Sequence, residues 1–472
     1  MKVNALFRGL ALAAAAALTA SLMAACGGSQ DPSSSAGSEG SSGGSQVATG
    51  ESSATENGST GSESGSAGSE SGSTGSHSGE NGSTSAVTTG SATNAPTSLP
   101  TRPTDPDTVK EDLAFYKEIV EIETQWLADM ILPNGAFPMT PVKDGTVKMN
   151  PYFADFGALA ILDGDKKHIP AVKRYMDWHF SHLNTAETDY NGVDGTIYDY
   201  HIKVSGGNVV QEDILILNGK KEYDSTDSYA ATFLMVLWKY YEKTGDKAYI
   251  VNHYSDIERI VGALYATMYD GLTTAKPDYP VKYLMDNCEV WEGIGDAINL
   301  YEKVLVPQKS GASATLSKLK ASYTEVARQI EKLMWNEDDG YYYPALGMDG
   351  EPNYTFSWGN FYPSATAQLF VIASGLLKPT DARAQKLYSD FNSHYSTGES
   401  KKDWDHMSIP DSFYWGSLVH VAAIMGDDVR VKNYMTMYRK VMKNHAYPLY
   451  NADAGKACMA AAIMVEKLSA LG

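Results

Sequence analysis

Two kinds of helical segment alternate along the chain from residue 107 to 472, and that alternation leaves few folds open. Apolar residues recur at helical spacing in about twelve stretches. One set, 112–132, 167–182, 246–269, 314–335, 380–394 and 429–444, is amphipathic and charged. The other, 151–162, 224–243, 288–303, 360–376, 411–425 and 453–468, is rich in Gly, Ala and aromatic residues, with few charges beyond its first turns. A helix with one polar face keeps that face in water, whereas a helix apolar all round must be surrounded by others. Alternating the two along one chain nests an inner ring inside an outer one. The predicted fold class is therefore all-α, an (α/α)6 barrel of six helical hairpins, forming one folded unit over 107–472.

The links give the barrel a polarity. Inner-to-outer links are short, as at Asp163-Gly164-Asp165, Thr244-Gly245, Lys378-Pro379 and Gly426-Asp427, with 304–313 the longest. Outer-to-inner links are long: 133–150, 183–223, 270–287, 336–359 and 395–410. Links of one kind share one end of such a barrel, and long loops usually carry function, so the site belongs where the inner helices begin. Segments 195–204 and 209–217 alternate apolar and polar residues around Ser205-Gly206-Gly207-Asn208, which predicts a small β-hairpin laid on that end.

The residues opening each inner helix form a constellation. The first has Asn150, Tyr152 and Asp155; the second Asp224, Asp227 and Tyr229; the third Asp286, Asn287, Glu289, Trp291 and Glu292. The fourth has Trp358, Asn360 and Tyr362, the fifth Asp411, Tyr414 and Trp415, the last Asn451 and Asp453. Carboxylates interleaved with Trp and Tyr suit a carbohydrate substrate: rings stack on sugar C–H faces, carboxylates accept hydroxyl hydrogen bonds, and two carboxyls can act as acid and as base or nucleophile. The 30 Tyr against 12 Phe point the same way, since tyrosine both stacks and hydrogen-bonds. Asp227 and Glu289 are the leading catalytic pair, with Glu292 and Asp155 in reserve. Tyr152, Tyr229, Asp286, Trp291, Trp358, Tyr362, Asp411, Tyr414 and Trp415 are expected to bind substrate.

Each residue has a plainer reading. Asp227 could be a helix-dipole partner or cap, Glu289 a solvated first-turn acid, Asp155 a buried carboxylate hydrogen-bonded to a neighbouring loop and Asp411 an N-cap, while Tyr414 and Trp415 could be core. Asp224 or Ser225 has the chemistry to cap the second inner helix. No metal is expected: His179 and His182 lack a third ligand at a convincing spacing, and Asn336-Glu337-Asp338-Asp339-Gly340 breaks the alternate-residue pattern of a calcium loop. No cofactor fingerprint or nucleophile elbow is present.

Residues 1–25 read as a signal peptide, and Leu22-Met23-Ala24-Ala25-Cys26 has the small-residue pattern of a lipobox, making Cys26 the lipidation site. Residues 26–106, mostly Ser, Gly, Thr, Asn and Glu, form a disordered tether. The expected location is the outer face of a bacterial cell membrane, with membrane contact only through the lipid anchor. A net charge of -19 argues against nucleic acid as a partner, and a monomer is expected. Cys288 and Cys458 sit on inner helices that face each other across the barrel, so no disulfide is implied.

With these elements in place the chain resembles the six-hairpin glycosidase superfamily over essentially all of 107–472. The resemblance implies a glycoside hydrolase with its cleft at the inner-helix N-termini, by an inverting route. Glycoside hydrolase family eight is the nearest comparison: its inner-helix Thr-Asp, a central sugar-contacting or catalytic acid, is echoed by Thr226-Asp227. That family opens an earlier inner helix with Ser-Glu-Gly ahead of Gly-Tyr-Gly, the Glu being the acid. Here the run is Pro151-Tyr152-Phe153-Ala154-Asp155-Phe156-Gly157, without a Glu, which leaves Asp155 or the third-helix acids to donate the proton. The other readings are a non-catalytic glycan-binding lipoprotein and a polysaccharide lyase, the latter disfavoured by the acidic rim.

Overall fold

The computed structural model describes residues 99, 101–395, 415–445 and 449–471. The expected signal peptide, Cys26, most of the expected tether, Asp411 and Tyr414 lie outside the described residues.

Helices of the two kinds alternate as expected. Outer α1 (Pro106–Met130) precedes inner α2 (Pro151–Ile161), outer α3 (Ile169–Ser181) precedes inner α4 (Asp227–Thr244), and outer α5 (Lys247–Asn252) and α6 (Tyr254–Ala266) precede inner α7 (Leu284–Leu300). Outer α8 (Ala312–Gln329) leads to inner α9 (Thr366–Ala373), outer α10 (Ala382–Tyr395) to inner α11 (Gly416–Met425), and outer α12 (Asp428–Met442) to inner α13 (Asn451–Ser469). The inner helices touch in the order α2, α4, α7, α9, α11, α13, and α13 returns to α2, so the ring is closed. The outer helices pack behind them, α1 on both α2 and α13. This is the all-α barrel of helical hairpins.

Glycines let the inner helices come close. A Cβ on Gly293 of α7 would stand 2.6 Å from the carbonyl oxygen of Ala231 on α4. One on Gly455 of α13 would stand 2.6 Å from that of Phe156 on α2. Either methyl group would wedge apart a seam that is packed backbone to backbone. Cys288 and Cys458 are buried and free.

Three differences from the sequence expectations bear on the site. The third inner helix begins at Leu284 rather than 288, so Asp286 falls in its first turn and Glu289 in its second. Asn287 explains the early start: its Oδ1 accepts from the Thr273 N–H at 2.8 Å and its Nδ2 donates to the Thr273 and Tyr283 carbonyls, riveting the preceding loop to the helix. The fourth inner helix opens with a wide turn, Phe361–Ala365, because Tyr362, the residue before Pro363, takes extended backbone angles. The third outer helix is broken at His253 into α5 and α6.

The predicted hairpin is present as β1-β2-β3, a three-stranded antiparallel sheet of Gly145–Met149, Tyr200–Ser205 and Asn208–Ile214. Gly206 and Gly207, both at positive φ, make the tight β2-β3 turn. The unexpected strand β1 pairs with β2 from Gly145↔Val204 to Met149↔Tyr200 and runs directly into α2. The sheet thereby fixes Lys148 and Asn150 against Asp199 at the mouth of the barrel.

Candidate active site

Local chemistry builds the mouth of α4. The Ser225 hydroxyl oxygen accepts from the Ser228 N–H at 3.0 Å, taking the capping role, and the same hydroxyl donates to Asp227 Oδ1 at 3.0 Å. The Ser228 N–H also donates to Asp227 Oδ1 at 2.9 Å. Asp227 is wholly buried, and its Oδ2 has no protein partner. Burial pushes its carboxyl up to about 6, while Thr273, Ser225 and the Ser228 N–H favour the anion.

The facing turn belongs to α7. Glu289 is buried, and its Oε1 accepts from the Tyr152 hydroxyl at 2.6 Å. Burial pushes it up to about 7 against that hydrogen bond and the charge of Lys456. Asp286, one turn earlier and partly open to the mouth, is held well above the usual carboxylate range by burial and by the charges of Asp227, Glu289 and Asp224. Three carboxyls thus share protons, and their titration belongs to the set rather than to any one of them.

Aromatic rings wall this cluster. Tyr152 stacks with Tyr229 at 6.0 Å and meets Phe156 edge-on at 4.9 Å. Tyr362 is within electrostatic reach of Asp224, Asp286 and Glu289, and its ring lies 5.7 Å from that of Trp415. On the loop side Tyr279, Tyr283 and Tyr354 link their hydroxyls at 3.1 and 3.4 Å. The sequence reading had passed over these three, whose only signal was Tyr density in the long loops.

Other predicted residues sit elsewhere. Asp155 is wholly buried between helices, with Oδ1 accepting from the Tyr175 hydroxyl and Oδ2 from the Thr232 hydroxyl, both at 2.7 Å. It ties α2 to α3 and α4, a buried hydrogen-bonded carboxylate as in its plainer reading, but with partners on two helices rather than on a neighbouring loop. Trp291 stacks on Tyr323 of α8 at 4.6 Å, on the outward side of α7. The Tyr229 hydroxyl donates to Asp199 at 2.9 Å, so it braces the mouth as well as lining it. Trp358 is half-buried beside His394 at 5.5 Å, further out along the rim. Glu292 lies one turn below Glu289 and faces the barrel lumen with it. Among the described residues, no group of three His, Cys, Asp or Glu is placed to hold a metal ion.

Asp199 was missed by the sequence reading. It is 2% exposed and collects Lys148 Nζ at 3.1 Å, Asn150 Nδ2 at 3.1 Å and the Tyr229 hydroxyl, joining β1, α2 and α4 in one polar knot. Its only signal was an acid between Tyr198 and Tyr200 in an alternating strand.

Asp155 makes a pH prediction. Burial pushes its carboxyl up to about 8 despite two hydrogen bonds. The folded state therefore keeps a proton that the unfolded chain releases near its ordinary value of 3.8. Stability from this group is full below about 3.8 and is lost progressively as pH rises from there to about 8. Urea midpoints measured at several pH values are expected to fall across that window, and Asp155→Asn, which has no proton to release, should flatten the slope.

No protein-family model matches the chain, and no curated protein does. Solved structures similar to it include a glycosidase with glucose bound, at a TM-score of 0.49 and 12% identity, covering 76% of this chain and 98% of that one. A second is an inactive variant of an α-1,6-mannanase of Salegentibacter sp. in complex with α-1,6-mannotriose, at a TM-score of 0.43 and 13% identity, covering 74% and 99%. A third is a family 78 rhamnosidase of a Bacillus species, at a TM-score of 0.45 and 11% identity, covering 74% and 34%.

Proposed function

We propose that this chain is a glycoside hydrolase that cleaves an oligo- or polysaccharide at the mouth of the barrel. The observation that carries the reading is the pair Asp227 and Glu289: two buried carboxyls on the opening turns of adjacent inner helices, titrating at about 6 and about 7, beneath a wall of tyrosines. Glu289, raised by burial beside the Tyr152 hydroxyl, is the general acid that protonates the leaving oxygen. Asp227, whose Oδ1 accepts two hydrogen bonds that favour the anion, is the carboxylate that activates water or attacks the sugar. Asp286 and Asp224 bind sugar hydroxyls beside them, and Tyr152, Tyr362 and Trp415 supply ring surface.

The test is product release from a panel of neutral, amino and acidic glycans, read by chromatography and by ultraviolet absorbance. Saturated reducing sugars are expected, and the anomer first formed, read by NMR, tells whether Asp227 acts as base or nucleophile. An unsaturated product would make the chain a lyase. Binding without any product would make it a glycan-binding protein.

The lipobox-like run before Cys26 supports a lipid-anchored enzyme on the outer face of a bacterial membrane. Incorporation of labelled palmitate that is lost in Cys26→Ser is the expected result. Equal labelling of both forms would remove the anchor from this reading.

A further inference from the structure

The lumen beneath the carboxyl pair holds a cation that the proposed reaction does not use. Lys456 lies in the second turn of α13, alone in the small-residue run Ala454-Gly455-Lys456-Ala457-Cys458. Its Nζ stands 3.7 Å from the centroid of the Phe156 ring on α2, a cation–π contact that strengthens as water is excluded. The side chain walls a cavity of about 20 Å³ together with Glu289 and Glu292 of α7 and His420 of α11, room for a water.

The charges facing this cavity can be followed around the ring. His420 brings none, because burial holds its imidazole well below the ordinary value, and its Nδ1 is buried without a partner. On α4, Thr232 at this level is tied to Asp155, and Lys239, two turns further down, is paired with Asp163 at 2.6 Å. From α9 come Thr366, Leu369 and Phe370, and from α2 Phe156, all uncharged. On α7 itself Asp286 lies above the pair, and below it Asp296 is pushed up to about 8 by burial and by Glu292 and Glu242. Lys456 is thus the cation that faces Glu289 and Glu292 across the cavity, while Lys239, although paired with Asp163, also acts on Glu292 from below. Burial raises both glutamates and Lys456 opposes it, while the two glutamates hold the Lys456 proton on against burial, which pulls it down. No direct ion pair joins them among the described residues, so the coupling runs across the cavity.

We propose that Lys456 is a positioning residue for the Glu289–Glu292 pair: its ammonium, fixed over Phe156, holds one negative charge of the pair in the lumen and leaves the exchangeable proton on Glu289, on the cleft side. Two buried glutamates a helical turn apart without that cation would hold their protons more tightly, as like charges in a dry site do. The consequence for turnover rests on the hydrolase reading above, whereas the charge effect does not.

The test separates the two. Lys456→Met keeps the aliphatic stem and removes the charge, and Lys456→Arg restores it. Substrate-free protein with 13C-labelled glutamate carboxyls is titrated by NMR, with Glu289→Gln and Glu292→Gln to assign the signals. Both steps of the pair are expected to move to higher pH by about one unit in Lys456→Met and to return in Lys456→Arg. If the protein hydrolyses a glycan, the basic limb of its rate profile should move up with them at unchanged KM. Titrations that ignore Lys456→Met overturn the proposal whatever the glycan panel gives, and a shift without hydrolysis on any glycan supports it while the hydrolase reading fails. Should Lys456→Met not fold, Lys456→Gln is read in the same way.

Discussion

Glu289→Gln is expected to lower hydrolysis of the true substrate by about 10²–10⁴-fold while leaving the fold intact. Glutamine keeps the size of the side chain and can still accept from the Tyr152 hydroxyl, so only the proton is lost. The loss should depend on the leaving group: an aryl glycoside whose phenol leaves without protonation should be spared, and a natural glycosidic bond should not. Asp227→Asn is expected to lower both by a similar factor, since in the proposed assignment its carboxylate acts on the sugar rather than on the leaving oxygen. The rate profile of the unmodified protein should rise through about 6 as Asp227 ionises and fall through about 7 as Glu289 loses its proton. Because Asp286 titrates with them, the limbs report the set. Full activity in both Glu289→Gln and Asp227→Asn would end the assignment.

Asp199→Ala is expected to give the largest loss of stability, about 3–5 kcal/mol, read as a fall in the urea midpoint. Removing this carboxylate leaves the Lys148 ammonium, the Asn150 amide and the Tyr229 hydroxyl without their common acceptor at a site that is 2% exposed. The damage should be local as well as global. Asn150 also caps α2 through the Phe153 N–H at 3.0 Å, and Tyr229 sits two residues from Asp227 in the first turn of α4, so the mouth loses its brace on two inner helices. Asp199→Asn, which retains one acceptor oxygen, should cost less. A midpoint unchanged in Asp199→Ala would show that the knot contributes nothing to stability.

Much of the architecture was legible in residue pattern. The switch between charged and uncharged helices required an inner and an outer ring, because a helix apolar on every side has nowhere else to go. Loop lengths then picked out the end where Asp227, Asp286 and Glu289 do come together. Glu289 could be reached because acids three residues apart on a nearly uncharged helix need a reason, and Asp227 because a second acid stands just inside the helix start, two residues past the capping Ser225.

Periodicity says that a residue faces inward but not what it meets there. Asp155 and Asp227 look alike in the sequence, each an acid in an early turn of an inner helix. Only Tyr175 and Thr232, brought from α3 and α4, make one a structural tie, while the other holds its bonds within its own turn and leaves Oδ2 without such a tie. Trp291 is two residues from Glu289, and the turn of the helix alone sends it outward onto Tyr323. Asp199 and Lys456 lie 90 and 167 positions from Glu289 along the chain, yet one braces its cleft and the other shares its cavity. The sequence by itself determined the ring, its polarity and the acids at its mouth, since burial pattern and loop length are local properties. Which acid would be satisfied, which left unpaired, and which answered by a buried lysine was decided by the tertiary structure, because a buried polar group takes its partners from whatever remote segment the closed ring sets beside it.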